Sequence, residues 1–187
     1  MPLFQRIHLA EHKSFNILRV DRPYFVVPWH FHPEIEIMLI INGTGTRFIG
    51  DSIEEFAHYD LVVVGSNLTH VWKNSAQHYE ESSGLRAEAR VILFREDCFG
   101  KDFFDIGEME SIKNLLLRAK RGLKFFGSTR SSVIKKIMAA YEKTEIDRFI
   151  SLIQILHELS LSKEYTILSS IGYVQQIQDS DLYHLNI

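Results

Sequence analysis

A single cysteine, Cys98, stands in the chain, so no internal disulfide can form, which agrees with a reducing compartment. No histidine lies close to it in sequence, and the expected role is an ordinary structural thiol rather than a nucleophile. Long apolar runs are missing: none approaches the roughly 18 residues needed to cross a bilayer. The segment from Met1 to Ala10 carries charge and has no apolar stretch of signal-peptide length. These absences lead to the expectation of a cytoplasmic protein without a membrane span. Lysine and arginine are absent after Lys163. With a net charge of −3, the chain is not expected to grip nucleic acid strongly by itself. Repeats and low-complexity tracts are lacking as well.

What is present suits a packed protein. The 187 residues suffice for one domain with or without an appendage, able to bury roughly 70% of its unfolded surface. A content of 45% hydrophobic and 24% charged residues argues against wholesale disorder.

From Ser14 to Trp72 the pattern is that of strands. Phe15 to Val20 gives the first, with Pro23 and Pro28 marking bends that a central strand would not contain. Glu34 to Ile41 starts with alternation and becomes continuously apolar, which predicts a strand covered on both faces. Strands are expected over Thr46 to Ile49, Ile53 to Phe56, Leu61 to Val64, His70 to Lys73 and Ala87 to Arg95. Turn residues such as Asn42-Gly43-Thr44-Gly45 and Gly50-Asp51 separate the early ones. Short strands at this spacing predict an antiparallel barrel or sandwich, and Asn74 to Gly84 is expected to be a mobile loop.

Beyond Glu96 the period changes from two to 3.6. Glu108 to Arg121 sets Met109, Ile112, Leu115, Leu116 and Ala119 on one face, with Gly122 as its stop. Ser128 or Ser131 is the expected cap of a second helix, whose apolar face holds Val133, Ile134, Ile137, Met138 and Tyr141. Thr144 and Asp147 have capping-box spacing for a third helix, running to about Leu161. That helix carries more than one apolar stripe, from Ile146 through Leu159, where a monomer surface helix needs an arc of only about 100°. Homodimerisation through these helices is the expectation, deep burial within one chain the alternative. Ser169, Ser170, Gly172, Gln175, Gln176 and Gln178 give the end a linker character, with Asp181, Leu182 and Leu185 turning helical again.

His30, His32 and Glu36 fall on one side of an extended chain, and His70 offers a further imidazole on another strand. Converging, they would supply three neutral imidazoles and one carboxylate, a set suited to one divalent transition metal, Zn, Ni, Mn or Fe, with positions left open. A metal-free polar pocket and merely structural histidines are the other two readings. Trp72 and Met38 share parity with His70 and Glu36 and are candidate pocket walls, core packing being the competing role for Met38. Glu34 shares the parity of Glu36 across Pro33. Trp29 and Phe31 would face a barrel wall or the helices, and Arg47 would reach a ligand across its hairpin or stay solvated. The cluster Arg118, Lys120, Arg121, Lys124 and Arg130 fits a helix C-terminus that favours cations better than a nucleic-acid surface.

The spacing His30-x-His32, three residues, Glu36, six residues, Gly43 resembles the first cupin motif. Asn67, two residues, His70, three residues, Asn74 is similar to the second, with Gly65 and Asn67 where its proline and glycine usually stand. Trp29 to Glu34, Arg47 to Asp51 and Arg118 to Phe125 resemble the N-terminal half of AraC-type transcriptional regulators, over most of the chain from Ser14 to Leu161. The resemblance implies a cupin-like antiparallel β-barrel of double-stranded β-helix, jelly-roll type over residues 1–100. It further implies a helical dimerisation region over 101–162 and a linker over 163–187, leading to a helix-turn-helix DNA-binding domain absent from this chain. It implies a small-molecule effector, sugar-like, bound by His30, His32, Glu36, His70, Trp72 and Arg47. DNA would be bound only through the absent domain. On this reading the chain is a sensor and not an enzyme. The alternatives are a metal-dependent cupin enzyme, dioxygenase or sugar isomerase, and a stand-alone sugar-binding cupin.

Overall fold

The computed structural model describes residues 1–7 and 13–173. The expected helix from Asp181, the glutamine-rich part of the linker, and His8, His12 and His184 lie outside them. The strands, in chain order, are β1 (Leu3–Phe4), β2 (Phe15–Arg22), β3 (His30–Phe31), β4 (Ile35–Asn42), β5 (Gly45–Ile49), β6 (Ser52–Phe56), β7 (Leu61–Val64), β8 (His70–Asn74), β9 (Ala87–Phe94), β10 (Leu123–Phe125) and β11 (Tyr165–Ile167). The helices are α1 (Glu110–Ala119), α2 (Gly127–Glu142) and α3 (Glu145–Leu161).

The strands form two sheets, ordered β1-β3-β8-β5-β6 and β11-β10-β7-β4-β9-β2. Strand β4 is central to the larger sheet, and its alternation shows how the layers stack. Ile35, Ile37 and Leu39 enter a core shared with Leu115, Leu116, Val133, Ile137, Leu152 and Leu156 of the helices. Met38 and Ile40 enter a second core with Ile49 and Trp72 of the smaller sheet and with Leu68 just before β8. The larger sheet is therefore the middle of three layers, which explains why β4 reads as a continuous apolar run. The expected barrel is not closed among the described residues, because each sheet keeps two edges and no ladder joins them. A cavity occupies one unclosed side, lined by Gln5, Arg6 and Ile7 after β1 and by Leu18, Val20 and Arg22 of edge strand β2.

The strands expected from period-two patterning are found with ends within two residues. Strands β10 and β11 were not expected; they lie in the stretches read as helical appendage and as linker. Each has three residues, too few for a periodic signal, and their pairing is tertiary: Leu123 faces Val63 of β7 and Ile167 of β11. The expected mobile loop is organised into 3₁₀ turns at Ala76–Tyr79 and Glu81–Ser83, with His78 buried and hydrogen-bonded to the Pro23 carbonyl at 3.0 Å.

Helix α1 stops where its glycine predicts: the Gly122 N–H donates to the Ala119 carbonyl at 2.8 Å with φ +68°. Neither Ser128 nor Ser131 is the N-cap of α2; that position is Phe126. Instead the Glu164 carboxylate accepts from the Thr129 N–H at 2.7 Å and the Ser128 hydroxyl at 2.9 Å. The Thr129 amide first, then the Ser128 hydroxyl, hold the Glu164 carboxyl down at about 2. Thr144 is the N-cap of α3 but makes no side-chain cap hydrogen bond.

The basic cluster is absorbed into the fold. Arg118 stacks on the Tyr165 ring at 5.4 Å, Arg121 donates to the Ser169 carbonyl at 2.9 Å, and Lys124 pairs with Glu54 at 3.3 Å. Among the described residues no helix is long and apolar enough to cross a membrane.

Leu152, Ile155, Leu156 and Leu159 of α3 are buried, whereas Ile146, Ile150 and Leu161 are exposed. Leu156→Ala is expected to cost 2–5 kcal/mol in urea unfolding, the range for opening a cavity at a buried leucine. Leu161→Ala should stay within about 0.5 kcal/mol if its surface is solvated in the monomer.

Candidate metal centre

Four side chains from three parts of the chain meet between the sheets. His30 lies on β3, directly opposite His70 on β8. His32 follows β3 at the bend before β4, and Glu36 is the second residue of β4. Their candidate ligand atoms all lie within 4.8 Å of one another. His32 and His70 are each 1% exposed, His30 5% and Glu36 7%.

Three backbone carbonyls decide the orientation of the rings. The Nδ1 of His30 lies 2.7 Å from the Pro28 oxygen, that of His32 3.1 Å from the Glu34 oxygen, and that of His70 2.7 Å from the Leu68 oxygen. A carbonyl oxygen only accepts, so each Nδ1 carries the hydrogen. Each ring is thereby held with Nε2 toward the cluster, the outer-shell arrangement that metal-binding histidines use. The Nε2 of His32 lies 3.3 Å and that of His70 3.5 Å from the same Glu36 oxygen, Oε2.

Electrostatics follow from this packing. Burial would raise the Glu36 carboxyl, but the imidazoles of His32 and then His70, both facing its Oε2, outweigh it and hold the group below the usual range. Burial, reinforced by the neighbouring His70 ring, pushes His30 down to about 4, so it is neutral at pH 7. His32 moves the other way: burial lowers it, yet the Glu36 carboxylate more than compensates and its net direction is up. His70 Nε2 is buried without a hydrogen-bond partner. A buried imidazole nitrogen without a partner is costly for a purely structural histidine, and three imidazole nitrogens with a carboxylate suit Zn, Ni, Mn or Fe. The residues present fit a metal, with His30, His32, Glu36 and His70 as its holders.

The other expected site residues divide. Trp72 and Met38 line the cavity together with His30 and Glu36. Trp72 packs edge-on to His70, ring centroids 5.6 Å apart. Arg47 does not join them. It stands opposite Trp72 in the ladder, but its guanidinium turns to Asp60 at 2.5 Å and to Glu54 at 2.5 Å and is fully buried by them. Two carboxylates hold the arginine and fix it as part of the fold. Glu34 is buried beside His32, its Oε2 3.6 Å from Nδ1. Trp29 is exposed rather than turned into a wall. Cys98 is half-buried, and burial pushes its thiol up to about 12, as an inert thiol requires. The cavity residues of β2 and of the segment after β1 were not anticipated, because no motif marks them; only the pairing of edge strands brings them there.

No protein-family model matches the chain, and no curated protein matches it. Among solved structures it is similar to a cupin 2 conserved barrel domain protein from Rhodopseudomonas palustris, at 13% identity and a TM-score of 0.37, covering 47% of this chain and 57% of that one. It is similar to a provisionally named mannose-6-phosphate isomerase from Ralstonia eutropha JMP134, at 15% identity and 0.38, covering 46% and 80%. It is also similar to ToxT from Vibrio cholerae O395 bound to (E)-4-(8-methylnaphthalen-1-yl)but-3-enoic acid, at 12% identity and 0.46, covering 94% of this chain and 67% of that one. The neighbours thus include cupin-fold proteins and an AraC-family regulator. At such identities and scores the functional reading rests on the site itself.

Metal binding competes with protonation of His32, whose hold on a proton the Glu36 carboxylate strengthens, so metal affinity should rise with pH, and calorimetry in buffers of different ionisation enthalpy should register proton release. Protein purified without a metal-affinity tag is expected to carry a full equivalent of one transition metal. In His70→Ala the affinity should fall by more than the roughly 10- to 100-fold that loss of an outer-shell partner costs.

Proposed function

We propose that the chain is the ligand-sensing part of an AraC-type transcriptional regulator, in which an effector bound in the cavity beside the His30, His32, Glu36 and His70 centre biases the packing of the helices. The observation that carries this reading is the segment 65–70. The Gly65 N–H donates to the Ala119 carbonyl at the end of α1, and the Asn67 N–H donates to the His32 carbonyl, both at 2.8 Å. The Ser66 hydroxyl donates to the Pro33 carbonyl at 2.8 Å, and His70 follows directly. One short segment therefore touches the metal-site chain on one side and the helical layer on the other. A Cβ on Gly65 would sit 2.6 Å from the Ala119 backbone, so the contact leaves no slack.

In this mechanism His30 and Glu36 line the cavity floor and meet the effector. The carbonyls of Pro28, Glu34 and Leu68 keep the three rings in place. A shift of the 65–70 segment then reaches α1, which packs on α3. An effector with different affinities for two such arrangements moves their populations. The exposed Ile146, Ile150 and Leu161 of α3 are the proposed dimer surface, and DNA would be engaged by a domain beyond this chain.

The second reading, a metal-dependent cupin enzyme, is favoured by the same open arrangement of Nε2 atoms beside a cavity. A bound metal would supply Lewis-acid or oxygen-activating chemistry there. This chain's residues would bind it, hold the rings and exclude water.

For the sensor reading, His30→Ala is expected to abolish the effector-dependent change in amide exchange of α1 while leaving the oligomeric state unchanged. A mutant that falls apart instead would place the pocket and the association surface in one structure. Gly65→Ala should cost about 1–3 kcal/mol, as overpacking does, and should blunt the change in α1 with the metal still bound; an unaltered response would break the proposed link.

A further inference from the structure

Glu34 carries a carboxylate that neither the proposed ligand set nor the proposed signal path uses. It is 5% exposed, and its Oε2 is buried without a hydrogen-bond partner. A carboxylate oxygen in that condition costs stability unless something offsets it. Neither a cation nor the cavity does so. Arg95, which feels the charge of Glu34, is exposed and pairs with Asp97 at 2.9 Å, and Glu34 is not among the residues lining the cavity.

Its position points to His32. Oε2 stands 3.6 Å from the His32 Nδ1, the ring nitrogen that does not face Glu36. Among the described residues neither His30 nor His70 has a carboxylate within ion-pair distance of its Nδ1. The tethers of the three rings differ in the same way: Nδ1 lies 2.7 Å from its carbonyl oxygen in His30 and in His70, but 3.1 Å in His32. The ring with the longest tether is the one with a carboxylate beside it. The bend that places Glu34 there is pinned, because the His32 carbonyl accepts the Asn67 N–H and the Pro33 carbonyl accepts the Ser66 hydroxyl, both at 2.8 Å.

We propose that Glu34 is the positioning residue of His32 in the metal-loaded centre. With Nε2 bound to a cation, the His32 Nδ1–H becomes a stronger donor, and the Glu34 carboxylate accepts it. A hydrogen bond to an ionised acceptor is roughly twice as strong as a neutral one, and a carboxylate behind a ligating histidine fixes its ring and strengthens it as a ligand. The cost of burying Oε2 unpartnered is thereby offset when the metal binds. The assignment rests on the metal reading of the centre and is independent of whether the cavity signals to the helices.

The test uses the full chain, stripped of metal and titrated with zinc against a competing chelator of known affinity. Glu34→Gln, which keeps the shape and removes the charge, should still bind one zinc, about 10- to 100-fold more weakly. In a His32→Ala background the same substitution should change affinity by less than about twofold, because the ring through which Glu34 acts is gone. Proton NMR of the zinc-loaded chain should show the His32 Nδ1–H, assigned by its loss in His32→Ala, moving upfield in Glu34→Gln while those of His30 and His70 stay in place. Glu34→Met, which leaves no polar atom to bury, should weaken zinc binding likewise without lowering the urea midpoint of the metal-free chain. Zinc affinity unchanged in Glu34→Gln would overturn the proposal. So would a loss that persists in full without His32, which would mean that the carboxylate acts on the metal directly. Metal-free chains destabilised by both substitutions would also overturn it, by making the carboxylate part of the fold. A native chain that takes up no zinc would remove the metal reading and this assignment together, whereas zinc bound equally by the native and Glu34→Gln chains removes the assignment alone.

Discussion

Glu36 is an ionised carboxylate on the central strand of a sheet covered on both faces, and the surrounding structure is arranged around keeping it there. An unpaired charge at that depth would cost several kcal/mol, which a buried partner offsets only with good geometry. The partners are His32 and His70, both aimed at the same carboxylate oxygen. They are aimed because each ring is tethered through Nδ1 to a backbone carbonyl two residues away in sequence. The constraint thus runs from one charge through two imidazoles to the bend between β3 and β4 and the approach to β8. His30 joins through its ladder position opposite His70 and, being neutral, adds a lone pair rather than a further charge.

The three-layer stack gives this centre two neighbours of different character. On one side lies the cavity, whose lining includes His30, Glu36 and Trp72. Toward the helices lies the opposite face of β4, where Ile35 and Ile37 pack against α1, α2 and α3. Residues one apart on the same strand therefore touch the site and the helical layer. The 65–70 segment repeats that connection through hydrogen bonds. On the proposed sensor reading, that connection is the route by which a ligand in the cavity would reach the helical layer.

Much of this was legible in the residues. The change of period after Glu96 located the helices, and the unbroken apolar run in β4 announced that both its faces were covered. The convergence of His30, His32, Glu36 and His70 was legible as well, although the alternation argument describes it imperfectly. Strand β3 ends at Phe31, so His32 is not a strand residue, and it reaches the cluster through the bend and its bond to the Glu34 carbonyl. Arg47 was misplaced because sequence gives its ladder position but not which way the guanidinium turns, toward Glu54 opposite it on β6 and Asp60 just before β7. The same holds for β10 and β11, whose existence depends on β7 being there to pair with, and for the cavity walls contributed by β2. The cap of α2 belongs in this group too, since Glu164 lies 35 residues from the amide that it serves.

The central claim is that His30, His32, Glu36 and His70 hold one transition metal. X-ray absorption fine structure on the zinc-loaded chain tests it most directly. The account predicts three imidazole nitrogens at about 2.0–2.1 Å together with an oxygen at about 2.0–2.2 Å. A shell of water oxygens without the outer scattering of imidazole rings would contradict it.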